Sequence, residues 1–178
     1  DHAMSLDVIN EVYDVRKERV TVPEVLASIR RQTTSNGRSR FTLKKHPNSF
    51  PVLGLDPRLL RHIYQNALSN ACRYGRPGGD IVTEIAYDEE NREFRLDVLN
   101  EPGVGHTDFV KLSQEEVNSR VFAQGSRLHE GSSDDETNIV ANSSGDGAWI
   151  VKKCAQIHRG GVSLRFETDR TVFSFWCP

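Results

Sequence analysis

Cysteine is scarce in this chain, apolar runs are short and net charge is small, and each shortage excludes a class of protein. Cys72, Cys154 and Cys177 are odd in number and include no Cys-x-x-Cys pair, which argues against a disulfide framework or a zinc site and for a reducing, cytoplasmic setting. No apolar stretch approaches the roughly 20 residues of a spanning helix, so no membrane contact is expected from this segment. A net charge of −2 and a pI near 6.3 speak against nucleic acid as a partner, because a phosphate backbone calls for a concentrated basic surface. No signal-peptide pattern opens the chain, and residues 1–4 read as a cloning remnant. The 178 residues suffice for one core with a loose insert.

What is present centres on Asp56 to Gly75, DPRLLRHIYQNALSNACRYG. Leu60, Ile63, Tyr64, Ala67, Leu68 and Ala71 recur at three- and four-residue steps, the apolar stripe of an amphipathic helix packed on a core. Asp56 is placed to cap its first turn, and Pro57 at the first position gives up only an N–H that has no helical partner. On the opposite face His62, Asn66, Asn70 and Arg73 form one narrow line. Asparagine is disfavoured inside helices because its side chain competes for backbone hydrogen bonds. Two of them four residues apart suit either a solvated face or a site for a cation and phosphates.

QNALSNACRYG resembles the N box of histidine-kinase catalytic domains, within the wider ATPase superfamily that includes gyrase. The resemblance implies that Asn70 supplies an oxygen to Mg²⁺, that Arg73 meets nucleotide phosphates, and that Tyr74 borders the pocket. In the hydrolysing ATPases of that superfamily a general-base Glu stands four residues before the Mg²⁺-binding Asn. Here Asn66 holds that place and cannot take a proton from water, so slow hydrolysis is expected.

Further along, Ile81–Tyr87 and Phe94–Val98 alternate apolar with polar residues and read as a hairpin. It leads into Asn100-Glu101-Pro102-Gly103-Val104-Gly105, where the glycines allow close approach and positive φ. This segment resembles the family's G1 box, whose Asp accepts a bond from the adenine amino group. Aligned on the strand, Asn100 takes that place; aligned on Gly103 and Gly105, Glu101 does. Residues 106–144 form a long polar insert resembling the ATP lid, with Arg120 and Arg127 either reaching phosphate or solvated. Gly145-Asp146-Gly147 resembles the G2 box at the start of the last helix, whose unpaired N–H groups attract phosphate. Ser143 or Ser144 is expected to cap that helix, with Lys152, Lys153 and Arg159 complementing its dipole.

The remaining expectations concern the ends. Leu6, Ile9, Val12 and Val15 have helical spacing, so residues 5–20 read as a helical linker following a dimerisation and phosphoacceptor segment. Thr21–Gln32 reads as a helix, and Phe41–Leu43 with Phe50–Leu55 as an edge hairpin around His46-Pro47-Asn48. Val162–Phe166 and Val172–Phe175 read as a closing hairpin. None of the six histidines lies in the His-Glu-x-x-Pro-like setting of the family's phosphoacceptor.

Together these imply, for residues 21–178, a two-layer α/β sandwich of the Bergerat type: a mixed, mostly antiparallel sheet with about three helices on one face. The implied activity is Mg-ATP binding for transfer of the γ-phosphoryl to a histidine outside this chain. The implied partners are ATP or ADP, the phosphoacceptor domain of the same protein and a response regulator. The alternative is an inactive pseudokinase that senses a nucleotide or binds a protein.

Overall fold

The computed structural model describes residues 2–33, 40–125 and 146–178. Its centre is a five-stranded sheet in the order β2-β4-β5-β7-β6 (β2 Arg40–His46, β4 Asp80–Asp88, β5 Glu93–Asn100, β6 Gly161–Phe166, β7 Thr171–Cys177). β2 and β4 run parallel and every other pairing is antiparallel. Phe94, Leu96 and Val98 on β5 share one face with Ile81 and Ile85 on β4, and all are buried. Helices α2 (Val22–Thr33), α3 (Pro57–Tyr74) and α6 (Gly147–Ile157) pack into the same core. This is the expected mixed sandwich.

α3 forms where its stripe requires. Leu59, Leu60, Ile63, Tyr64, Ala67, Leu68 and Ala71 are buried, Asp56 accepts from the N–H groups of Arg58 and Leu59, and Gly75 ends the helix. Tyr64 carries its hydroxyl into the core and satisfies it on Thr83 at 2.7 Å.

Two expectations at the start of the chain are corrected. Strands β2 and β3 (Leu53–Leu55) do not form a hairpin with each other: β2 pairs with β4, and β3 pairs antiparallel with β1 (Glu18–Val20). Two prolines, Pro47 and Pro51, interrupt the connection, and α3 supplies the crossover that a parallel β2–β4 pair needs. The linker is not helical throughout either. Helix α1 covers His2–Ile9 and buries Met4 and Val8, while Glu11 takes a left-handed φ of 59° and Val12 is exposed.

After β5 come α4 (His106–Val110) and α5 (Gln114–Val121). Ser113 and Glu116 form a reciprocal capping box on α5. Val117, Val121 and Phe122 pack with Leu164 and Phe166 of β6 in a small second core. The first part of the insert is therefore ordered against the sheet. Residues 126–145, including Arg127, Ser143, Ser144 and Gly145, lie outside the described residues.

Candidate functional site

The sequence-derived site residues gather along the second half of α3 in two groups. In the first, Asn70 Nδ2 donates to Asn66 Oδ1 at 3.1 Å, as the four-residue spacing allows. A Cβ added to Gly147, the first residue of α6, would lie 2.4 Å from Asn66 Nδ2. With Asn66 in this position, only a bare glycine fits at the start of α6. Asn66 thus touches both the start of α6 and Asn70, and the Asn66–Asn70 bond leaves Asn70 Oδ1 as an acceptor. Asp146 precedes α6, but its side chain caps no α6 N–H; its Oδ1 instead accepts from Gly125 N–H at 2.9 Å. The cap position is Asp146, while Ser143 and Ser144 lie outside the described residues. Among the described residues no side chain satisfies the first-turn N–H groups of α6.

The second group surrounds the end of α3. Gly103 packs so tightly on Tyr74 that a Cβ would lie 2.0 Å from the Tyr74 carbonyl oxygen, and Gly105 adopts a φ of 79°. The two glycines serve the two uses read from the sequence, one for approach and one for conformation. Asn100 ends β5 on the helix-covered face of Phe94, Leu96 and Val98, and its Nδ2 donates to Glu101 O at 3.0 Å. Glu101 faces elsewhere: its carboxylate meets the Arg76 guanidinium at 3.2 Å while its carbonyl accepts Arg76 N–H. Arg73 is exposed on the last turn of α3, its guanidinium 6.0 Å from the Tyr74 ring centre. Arg120 is exposed on α5. Among the described residues no group of three or more His, Cys, Asp or Glu could hold a metal by itself.

Sequence reasoning missed how these helices are held at their other ends. Asp56 is fully buried and, besides capping α3 through the Arg58 and Leu59 N–H groups, accepts from Tyr13 Oη at 3.0 Å and Arg16 N–H at 2.9 Å. Its own N–H donates to His158 Nε2 at 3.3 Å, which leaves His158 Nδ1 to donate to Cys154 O. Burial would raise the Asp56 carboxyl, yet the hydrogen bonds from Arg16, Tyr13 and Arg58 hold it below the ordinary range. Burial and the Asp56 bond push the Tyr13 phenol up to about 12, and burial keeps His158 neutral by lowering its pKa. The helix signal at Asp56 was legible; its long-range partners carry no local pattern. His106 was likewise missed as an anchor: it is buried, bonded to Glu167 O, and set edge-on against Phe166. The lysines of α6 are also corrected. Both stand ahead of its last turn, and Lys153 pairs with Glu11 at 3.1 Å beside the Trp149 ring.

Residues 55–178 match the model of the histidine kinase-, DNA gyrase B- and HSP90-like ATPases. The chain belongs to that family. The probable sensor kinase SilS of Salmonella typhimurium is 32% identical over 123 residues, which cover 69% of this chain and 22% of that protein. This chain therefore spans about a fifth of that relative. Among solved structures, full-length ShkA in complex with AMPPNP is similar over 99% of this chain and 36% of its own, with a TM-score of 0.71 at 15% identity. Histidine kinase ThkA in complex with the response regulator protein TrrA gives 0.63 at 13% identity, over 99% of this chain and 46% of its own. At these identities the structures show the fold alone. Family membership implies ATP as the nucleotide. No described helix is long and apolar enough to cross a membrane.

Proposed function

We propose that this chain binds Mg-ATP along the second half of α3 and presents it for phosphoryl transfer to a histidine outside the chain. The observation that carries this reading is the Asn66–Asn70–Gly147 contact: a carboxamide held by its Nδ2, with its Oδ1 left over, beside the start of a helix whose first residue is glycine. These residues fit Mg²⁺ and phosphate. Mg²⁺ is commonly held by one or two protein oxygens together with water and phosphate, so a single Asn70 Oδ1 suffices. The first N–H groups of α6 and the Arg73 guanidinium supply positive ends for phosphate oxygens. Bound ATP supplies the transferable γ-phosphoryl; the chain's residues position it and neutralise charge. Asn66 offers no base to activate water, which favours transfer over hydrolysis.

Asn100 fits the nucleobase end, because the Glu101 carboxylate lies in an ion pair with Arg76 at 3.2 Å while Asn100 keeps Oδ1 as an acceptor for an exocyclic amine. That same departure from the family's acid supports the second reading, a nucleotide-sensing or protein-binding module without transfer. The ThkA–TrrA complex supports a response regulator as the downstream partner, with the phosphoacceptor domain of the same protein upstream.

Titration with ATP, with and without Mg²⁺, tests the proposal through the fluorescence of half-buried Trp149, two residues from Gly147. Saturable binding that depends on Mg²⁺ is expected, with Asn70→Ala losing the dependence while unfolding within about 0.5 kcal/mol of the parent. No heat of binding at millimolar ATP would move the function to the second reading. Asn66→Glu should raise ATP hydrolysis; a rate equal to the parent's would refute the placement of Asn66.

A further inference from the structure

Between Glu24 and Asp56 the chain holds six lysines and arginines and no aspartate or glutamate, although the protein as a whole is net −2. Part of that run is β2, RFTLKKH, the outermost strand of the sheet. Among the described residues β2 pairs with β4 alone. One side of its backbone therefore carries N–H and C=O groups with no strand beside them. Beside this edge the outer face of the sheet dips. The depression, about 250 Å³, is lined by Lys44, Lys45, His46 and Arg95 together with Glu84 and Asp97, around the small side chain of Ala86. The register explains the dip, since His46, Ala86 and Arg95 stand side by side on β2, β4 and β5. The acids near the edge are already engaged: Asp80 with Arg40 at 2.7 Å, Glu84 with Lys44 at 3.5 Å and Asp97 with Arg95 at 3.0 Å.

We propose that the free edge of β2 docks an acidic, extended segment of another protein, which adds a strand to the sheet and sets a carboxylate over Ala86 among Lys44, His46 and Arg95. Lysines on an edge strand ordinarily prevent pairing. Here the edge belongs to a run with no acid at all and borders a depression where Lys44, Lys45 and Arg95 outnumber Glu84 and Asp97, so the charge that repels a basic strand selects an acidic one. Main-chain bonds would give the affinity and the cations the choice of partner. This surface is separate from Asn66, Asn70 and Gly147, and the proposal stands whether or not the chain transfers phosphate.

The test uses the isotopically labelled chain with a short peptide of alternating valine and glutamate, and a second peptide with lysine in place of glutamate. The acidic peptide is expected to slow hydrogen exchange in Arg40–His46 and to bind roughly tenfold more weakly when salt rises from about 0.05 to about 0.3 M. The surface variant K44E/K45E should lose the acidic peptide and gain the basic one while still unfolding in one cooperative step, somewhat below the parent because the Lys44–Glu84 pair is lost. The proposal is overturned by any of three results: no protection of β2 at millimolar acidic peptide, equal binding of both peptides, or an unchanged preference in K44E/K45E.

Discussion

Helices α3 and α6 meet at two places, and their polar side chains are used in opposite ways there. Where α3 begins and α6 ends, Asp56 takes bonds from Tyr13, Arg16 and Arg58, while its N–H goes to His158, which is bonded in turn to Cys154. Every strong donor offered there finds an acceptor. Where α6 begins, Asn66 and Asn70 share one bond and leave Asn70 Oδ1 over, and among the described residues no side chain caps the helix. Both are unusual concentrations of polar groups between packed helices. The first is closed and structural; the second has surplus acceptors and donors, which is what a ligand needs.

The largest effect that would separate the two ends is Asp56→Ala. It removes a helix cap worth about 1 kcal/mol, and it strands the Tyr13 hydroxyl and the Arg16 N–H at about 1 kcal/mol each. A loss of about 3 kcal/mol in urea unfolding is expected, with Mg-ATP affinity of the folded protein unchanged. Normal stability with lost binding would reverse the assignment of roles.

Acid should open the closed end next. The folded state keeps His158 neutral, so its pKa lies below the ordinary value near 6.5, chiefly through burial. The unfolded chain then takes up the proton first, and stability falls as pH drops through about 6.5 toward the depressed folded value, by less than about 1.4 kcal/mol per pH unit. His62, lowered mainly by burial, acts with the same sign. Asp56 adds a lower window: its carboxylate contributes stability above the unfolded value of about 3.9, and that is lost as pH falls through its depressed value. His158→Gln should flatten the upper window in part, leaving the share of His62. A slope between pH 7.5 and 5.5 as steep as the parent's would remove His158 from this account.

How much of this was legible depends on whether the signal is local. The cap at Asp56, the stripe of α3, the hairpin β4–β5 and the glycines of 103–105 are written within a few residues of where they act, and each appears where the sequence puts it. The failures are long-range. Nothing near Phe41 says that it pairs with Ile81 rather than with the strand that follows, and nothing near Tyr13 or His158 names Asp56. The Arg76–Glu101 ion pair also carries no local pattern, because the two residues come from separate elements. The N-box spacing put Asn66 and Asn70 on one face, but the contact of Asn66 with Gly147 depends on how two helices cross.

That contact yields the smallest expected effect and the finest test of the open end. Alanine at Gly147 would put a Cβ 2.4 Å from Asn66 Nδ2, the movable tip of a side chain, so the protein can relieve the clash by turning Asn66 aside. Helix propensity favours the alanine by up to about 1 kcal/mol, and the unfolding curve should shift by no more than that in either direction. Turning Asn66 aside, however, withdraws Oδ1 from Asn70 Nδ2 and frees the carboxamide that would face Mg²⁺. Gly147→Ala should therefore weaken Mg-ATP roughly three- to tenfold, about 0.7–1.4 kcal/mol, and weaken ATP without Mg²⁺ much less. An equal loss in both titrations would point to a simple block at the start of α6 and not to orientation of Asn70 through Asn66.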